Sequence, residues 1–237
     1  MPSALAAGLA LLIVTSLSAP AAAAQQTLPG IDVSHHNGQP NWAQVKQAGV
    51  KFAIAKATEA QTFHDPEYAR NKAQAEANGI AFGAYHFARP DKSAGDAVGE
   101  AHFFSSFAAL DGDNLIPVLD LEDNGTLGAR KLKRWTKAWL ATVEADLGVK
   151  PMIYTSASFW NAHMGNSRWF ADHGYRLWVA HWTANAQPAV PATNWGGRSW
   201  TVWQYTSHGT VAGISGNVDQ DRYRGTSLAP LLIKNNL

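Results

Sequence analysis

The chain has 237 residues, of which 46% are hydrophobic and 16% are charged, and its formal net charge at pH 7 is +1. This length and apolar content suit one barrel-sized domain or two small ones. The near-neutral charge and the lack of runs of like charge exclude partners held mainly by electrostatics, such as nucleic acid or an anionic membrane surface. Because the sequence contains no cysteine, disulfides cannot stabilise the fold, and we expect one large hydrophobic core.

The first 24 residues have the composition of a secretory signal peptide. Residues 4–18 are almost entirely apolar, and a run of small residues from Pro20 to Ala24 follows them. The segment departs from the usual pattern because no Lys or Arg precedes it, and it is shorter than the roughly 20 residues that span a bilayer. We therefore expect cleavage near Ala24, a mature domain of residues 25–237 without membrane attachment, and an extracellular or periplasmic location.

After this segment, short apolar runs alternate with helical patterns. Helices are predicted over residues 42–48, 65–79, 93–110 and 127–147, with short helices within 158–172 and a surface loop over 184–197. Asp65, Pro66 and Gly79 stand at the N-cap, N1 and C′ positions of the second helix. Strands are predicted over residues 30–34, 52–58, 80–87, 116–122, 152–155, 177–182, 201–205 and 217–219.

The order of these elements predicts an α/β protein. Alternating strands and helices form parallel sheets whose faces are covered, and eight strands in a single domain favour closure into a barrel. Helices become scarce in the last third of the chain while strands continue. We therefore expect a single barrel whose last strands have little helical cover.

Asp120 and Glu122 are the most informative pair in the sequence. Side chains two residues apart on a strand point the same way, with Cα atoms roughly 6.6 to 6.8 Å apart. Two carboxyl groups in one cleft separate their pKa values, so that one serves as a general acid while the other stays ionised. This pairing cleaves glycosidic bonds. The alternative, two solvent-facing residues at a strand end, is disfavoured by the apolar run 116–118 before them.

Polar or aromatic side chains also end most of the other predicted strands. In such barrels the carboxyl ends of the strands meet at one face and hold the active site, so we expect a ring of functional groups around one pocket. Of the ten tryptophans, Trp182 is the best candidate for a groove, and more than half should pack in the core. The strand ends are Asp32, Lys56, Thr58, Glu59, Tyr85, His86, Asp120, Glu122, Tyr154, His181, Trp182, Gln204 and Asp219.

Several segments together resemble glycoside hydrolase family 25, the N,O-diacetylmuramidase type of lysozyme. The resemblance spans residues 30–223, and it depends on the order and spacing of the motifs rather than on any one of them. Ala60 departs from the glycine that the family often has after the Thr-Glu pair. The matching segments are Ile31-Asp32-Val33-Ser34, Lys56-Ala57-Thr58-Glu59, Gly83-Ala84-Tyr85-His86-Phe87, Asp120-Leu121-Glu122, Leu177-Trp178-Val179-Ala180-His181-Trp182 and Val218-Asp219.

The resemblance implies a modified TIM-like barrel with five βα units followed by three further strands. It also implies hydrolysis of the β-1,4 bond between N-acetylmuramic acid and N-acetylglucosamine, so that peptidoglycan glycan strands are the partner. By position, Glu122 matches the general acid, and Asp32, Asp120 and Asp219 match the other active-site carboxylates. Tyr85, Tyr154 and Trp182 match the aromatic positions around the pocket.

The remaining expected substrate contacts, Gln204, Lys56 and Glu59, come from the strand ends, although Lys56 and Glu59 are at least as well explained as a structural ion pair. With several aspartates nearby, Glu122 should keep its proton and donate it to the leaving oxygen. The aspartates should stay ionised and stabilise the oxocarbenium-like centre. Whether Asp120 attacks directly or orients the 2-acetamido group of the substrate stays open.

Two other functions compete with this interpretation: a catalytically silent wall-binding protein and another glycan hydrolase such as a chitinase. A metal site built from His35, His36, His86 and His181 is disfavoured, because adjacent histidines point in different directions. We expect no metal or cofactor and a monomeric protein. Asp221 is predicted to cap the final turn rather than to join the acidic cluster.

Overall fold

The computed structural model describes residues 25–237 together with the isolated positions Met1 and Ser3. The expected signal peptide therefore lies outside the described residues, apart from those two positions. Among the helices of the described part, none combines the length and the apolar composition that crossing a membrane requires.

The described residues form one nine-stranded sheet that closes into an eight-stranded barrel. Neighbouring strands follow the order β1-β9-β8-β7-β6-β5-β4-β2-β3, and the β1–β2 pairing closes the ring. β3 is a two-residue strand that pairs only with β2. The strands are β1 (Thr27–Val33), β2 (Phe52–Glu59), β3 (Phe63–His64), β4 (Ala81–Phe87), β5 (Val118–Asp120), β6 (Met152–Ser156), β7 (Arg176–Ala180), β8 (Val202–Gly209) and β9 (Val218–Arg224).

Helices follow the first five barrel strands, and the cover then thins as the sequence predicts. The α/β fold class and the plan of five βα units with three further strands are confirmed. The barrel strands pair in parallel except β9, which runs antiparallel to both β1 and β8. The helices are α1 (Trp42–Gln47), α2 (Tyr68–Ala77), α3 (Asp96–Ala108), α4 (Ala129–Leu147), α5 (Ala157–Met164), α6 (Trp169–Asp172) and α7 (Pro191–Gly196).

Alternation along each strand divides the core into two layers. On β2, Ala53, Ala55 and Ala57 pack outward in the cluster beneath the helices, whereas Phe52 and Ile54 fill the barrel interior. Because side chains of a strand repeat every two residues, the next inward position after Ile54 is that of Lys56. The barrel interior is thus apolar near the amino ends of the strands and polar near their carboxyl ends.

Gly30 on β1 shows how tightly the lower layer is packed. A Cβ atom at this position would lie 2.2 Å from Cζ of Phe52, a separation that two carbon atoms do not tolerate. The Phe52 ring therefore occupies the space that a side chain at position 30 would need. Eight of the ten tryptophans are buried, which confirms that most of them belong to the core.

The second predicted helix is present, but it starts three residues later than the predicted start at residue 65. α2 begins at Tyr68, and its N-cap, Glu67, makes no side-chain cap hydrogen bond. The Asp65 carboxylate instead accepts from the backbone N–H of Glu67 at 3.0 Å and from that of His35 at 2.9 Å. Asp65 therefore ties the turn after β1 to the turn before α2 rather than capping the helix.

The segment predicted as a surface loop contains the short helix α7. Four consecutive residues, 192–195, have φ between 48° and 56°, in the left-handed region that costs about 1–2 kcal/mol per residue. Buried contacts hold the segment, because Trp195 donates from Nε1 to the Tyr175 carbonyl at 2.8 Å and packs on Trp160. Local sequence preference does not predict such a turn.

Candidate active site

A cleft of about 560 Å³ opens at the carboxyl ends of the barrel strands. All ten predicted site residues line it, namely Asp32, Lys56, Glu59, Tyr85, Asp120, Glu122, Tyr154, Trp182, Gln204 and Asp219. Three other strand-end residues, Thr58, His86 and His181, are not among the lining residues. The sequence analysis missed Ser34, His36, Asn37, Phe87, Arg89, Trp178, Ser207 and Asn217.

The acid pair keeps its common direction although β5 ends at Asp120. The backbone remains extended because Ala88 donates to the Asp120 carbonyl, and Leu121 donates to the Tyr154 carbonyl, both at 3.0 Å. Leu121 is buried in the outer layer, so its two neighbours face the cleft. Asp120 is 7% exposed, whereas Glu122 is exposed to the solvent of the cleft.

The other two expected carboxylates come from opposite ends of the chain. Asp32 on β1 and Asp219 on β9 are direct partners in the antiparallel register. Directly opposite side chains lie about 4.5–5.5 Å apart at Cβ, so barrel closure alone brings these two acids together. Asp120 acts electrostatically on Asp32 from across the cleft, and Asp219 acts on Glu122. The four carboxyl groups therefore form one cluster.

Gln204 on β8 connects three walls of the cleft. Its Nε2 donates to Oδ2 of Asp32 at 2.8 Å. Its Oε1 accepts from the Tyr154 hydroxyl at 3.1 Å and from Nε1 of Trp182 at 3.0 Å. One amide thus fixes an acid, a buried phenol and an indole that is otherwise 60% exposed.

The structure contradicts the prediction that Asp221 caps the final turn. Its side chain points into the barrel beneath Asp219 on β9, and the residue is fully buried. Oδ1 accepts from Nε1 of Trp178 at 2.8 Å, and the carboxyl group lies close enough to that of Asp32 for each to act on the pKa of the other. The prediction failed because it did not consider that β9 extends past Asp219, so that the side chain two residues later also faces the barrel interior.

Desolvation raises the pKa of every acid in this cluster. Desolvation is the largest cause for Asp32 and Asp120, whose pKa values lie well above the ordinary one, and acidic neighbours add to it. The pKa of Glu122 is also raised, first by desolvation and then by Asp219. The pKa of Asp219 is raised by desolvation. These directions agree with a protonated Glu122, and the pKa values of the aspartates, which the sequence analysis expected to be ionised, are raised as well.

A cationic network forms one rim of the cleft. Lys56 pairs with Glu59, as the structural alternative predicts, and Nε of Arg89 donates to Glu59 at 2.8 Å. Arg89 also donates from an η-nitrogen to Asp123 at 2.7 Å. The Phe87 ring lies 4.7 Å from Nζ of Lys56 and 4.5 Å from Cζ of Arg89. Desolvation alone would raise the pKa of Glu59, but hydrogen bonds from these two cations lower it.

The histidines weighed as metal ligands have separate partners. Nδ1 of His35 lies 2.7 Å from Asp65, and Nδ1 of His181 accepts from the backbone N–H of Ala189 at 2.9 Å. Within residues 25–237, no three histidine or acidic side chains converge in a way that could hold a metal ion.

His86 belongs to a buried pair outside the cleft. Its Nε2 lies 2.7 Å from Oε2 of Glu100, and its Nδ1 lies 2.7 Å from the Thr58 hydroxyl. Burial lowers the pKa of His86 to about 3 and raises that of Glu100 to about 8. Both groups are therefore neutral near pH 6.

The comparisons with known proteins agree with this geometry. Residues 31–214 match the family described as Glycosyl hydrolases family 25. Lysozyme M1 of Streptomyces globisporus is 39% identical over 87% of this chain and 71% of its own length. An N,O-diacetylmuramidase of a Chalaropsis species is 31% identical over 81% of this chain and 96% of its own.

Solved structures show the same barrel. A bacterial lysozyme from Streptomyces coelicolor superposes with a TM-score of 0.81 at 36% identity, covering 89% of this chain and 98% of the other. A family GH25 lysozyme from Aspergillus fumigatus gives a TM-score of 0.78 at 28% identity, over 89% of this chain and 100% of the other. The expected resemblance is confirmed, and the chain belongs to glycoside hydrolase family 25.

Proposed function

We propose that this chain is a muramidase that hydrolyses the β-1,4 bond between N-acetylmuramic acid and N-acetylglucosamine in bacterial peptidoglycan. The observation that carries the proposal is the cleft in which Asp120 and Glu122 face Asp32 and Asp219. Relatives named lysozyme and N,O-diacetylmuramidase support the substrate. A cleft of this size at the carboxyl ends of the strands suits a few sugar units.

In this mechanism Glu122 is the general acid. Of the two paired carboxyl groups it has the greater exposure to the cleft, so its proton can reach a glycosidic oxygen. Desolvation and the charge of Asp219 raise its pKa, which keeps the proton in place until the leaving oxygen accepts it.

Asp120 stabilises the opposite side of the reacting sugar. Its Oδ1 is buried and accepts no hydrogen bond from the described residues, so a substrate group can satisfy it. Lys56 and Arg89 both lower its pKa against the effect of burial, which favours a negative charge when an oxocarbenium-like centre forms. Oδ1 either attacks the anomeric carbon or accepts the N–H of the 2-acetamido group as that group attacks.

Trp182 supplies an apolar platform for a sugar ring. The indole is 60% exposed, and its Nε1 is fixed by Gln204. A large flat side chain whose orientation is held in advance binds a ring with little loss of conformational entropy. Tyr154, which also donates to Gln204, is buried against Trp178 with ring centroids 4.7 Å apart.

The test is hydrolysis of purified peptidoglycan by the protein lacking residues 1–24 and by its Glu122→Gln variant. We expect the parent to release reducing N-acetylmuramic acid ends, identified by mass spectrometry, and the variant to lose this activity while keeping its fold. Glu144→Gln is the matched control, because Glu144 lies near the carboxyl end of α4 and does not line the cleft. This variant should retain full activity. Full turnover in Glu122→Gln would show that Glu122 is not the general acid.

The same experiment distinguishes the competing functions. Reducing N-acetylglucosamine ends would indicate a glucosaminidase, and comparable turnover of chitin oligomers would indicate a chitinase. Tight binding of peptidoglycan by a parent protein without turnover would indicate a silent binding protein.

We also propose that the protein is exported and cleaved near Ala24, on the basis of the apolar segment 4–18 and the small residues that follow it. Intact-mass measurement of the protein recovered from culture medium tests this proposal. A mass that includes residues 1–24 would contradict it.

A further inference from the structure

Asp221 is a buried acid that the proposed mechanism does not use. The residue is fully buried and does not line the cleft, so it cannot touch a bound sugar. It lies opposite Gly30 on β1 and Gln204 on β8. On its own strand it is the next inward residue after Asp219, which places its carboxyl group in the layer below Asp32.

The hydrogen bonds of this carboxyl group are incomplete unless it carries a proton. Oδ1 accepts from Nε1 of Trp178, whereas Oδ2 is buried and has no hydrogen-bond partner among the described residues. The antiparallel register sets Asp219 opposite Asp32 and Asp221 two residues further along the same inward face. The Asp221 and Asp32 carboxyl groups are therefore diagonal neighbours, and Asp32 itself accepts from Gln204. Two carboxylates cannot hydrogen-bond each other unless one of them supplies an O–H.

Among the described residues no cation compensates the charge of this carboxyl group, whereas a bound proton does. The charged groups that act on Asp221 are Asp32 and Asp219, both acidic. A buried charge without a partner is costly, and two adjacent buried carboxylates cannot both ionise. Asp221 is fully buried, whereas Asp32 is 7% exposed and faces the cleft, so the negative charge is less costly on Asp32.

We propose that Asp221 is a neutral positioning residue whose O–H donates to Asp32, holding the Asp32 carboxylate ionised and oriented toward the cleft. The inference rests on the proposed function only in giving the Asp32 charge a role in hydrolysis. Asp32 then receives two donors, the Gln204 amide from one side and the Asp221 hydroxyl from below. Other ionisable groups face the pair from the surrounding strands: Lys56, Tyr85, Asp120, Glu122, Tyr154 and Asp219.

Two nearly isosteric variants separate this role from a merely structural one. Asp221→Asn keeps an N–H donor toward Asp32 and removes the proton, whereas Asp221→Leu removes the donor. The acidic limb of the pH dependence of kcat/KM should stay within about half a pH unit of the parent in Asp221→Asn. In Asp221→Leu it should move up by about one to two pH units, because a hydrogen bond to a charged group is lost. Asp113→Asn, at an exposed surface position, is the control and should leave the profile unchanged.

A measurement that needs no activity keeps this test separate from that of the proposed function. Aspartate labelled with ¹³C at the carboxyl group reports protonation by NMR across a pH titration. Near pH 6 the parent should show one more protonated aspartate carboxyl than Asp221→Asn. Equal numbers in the two proteins, or a loss of kcat/KM in Asp221→Asn as large as that in Asp221→Leu, would overturn the proposal. A parent that shows the protonated carboxyl and does not hydrolyse peptidoglycan would refute the proposed function alone.

Discussion

Replacing Gln204 with leucine should impair the cleft without disturbing the barrel. The substitution nearly keeps side-chain volume but removes the donor to Asp32 and the acceptor for Tyr154 and Trp182. Gln204 and Asp32 are 3% and 7% exposed, so water does not readily replace the lost donor. A hydrogen bond to a charged group contributes about 1.5–3 kcal/mol, and each 1.36 kcal/mol is a factor of ten in rate.

We therefore expect kcat/KM on peptidoglycan to fall by about 10- to 150-fold in Gln204→Leu. Initial rates of turbidity loss over a range of substrate concentrations measure this ratio. Gln74→Leu, on the exposed face of α2, is the matched control and should change it less than twofold. Circular dichroism and thermal unfolding check that both variants fold. A ratio for Gln204→Leu within twofold of the parent would refute the importance of this hydrogen-bond network.

Three further predictions concern binding, stability and packing. Trp182→Ala should raise KM by about threefold to tenfold with little change in kcat, because a stacking contact contributes about 0.5–1.5 kcal/mol; an unchanged KM would exclude sugar stacking there. The pKa of Glu100 is about 8 in the folded protein against an ordinary 4.5, so its contribution to stability is complete below pH 4.5 and is lost as pH rises through 8. Between pH 6.5 and 8 the free energy of unfolding of the parent should fall by about 1–2 kcal/mol relative to Glu100→Gln, as urea denaturation measures, and parallel curves would contradict the buried proton. Gly30→Ala should lower the free energy of unfolding by about 1–3 kcal/mol through overpacking against Phe52, and a neutral effect would show that the ring can move.

Sequence reasoning located the barrel and gathered the ten candidate residues around one cleft, because both depend on local periodicity. The inward positions of β2 alternate with outward alanines, and the apolar run before Asp120 marks a buried strand. What it missed depends on contacts between distant segments. Arg89 follows its strand by two residues, and its role is visible only through Glu59 and Asp123.

The prediction for Asp221 was wrong for a related reason. The inward face of β9 continues past Asp219, but the sequence does not reveal that β9 lies antiparallel between β1 and β8. Without that register, the contact between Asp221 and Asp32 cannot be foreseen. The raised pKa of the aspartates likewise follows from how deeply the closed barrel buries them, a quantity that neither spacing nor composition specifies.

The position of β9 near the end of the chain also determines when activity can first arise during synthesis. β1 leaves the ribosome early, but its partner across the site is among the last segments to be translated, so a nascent chain lacks both Asp219 and the strand that seals the ring. Pairings between such remote segments form late in folding. A polypeptide that stops before residue 218 should therefore be inert, and lytic capacity arises only when translation is nearly finished.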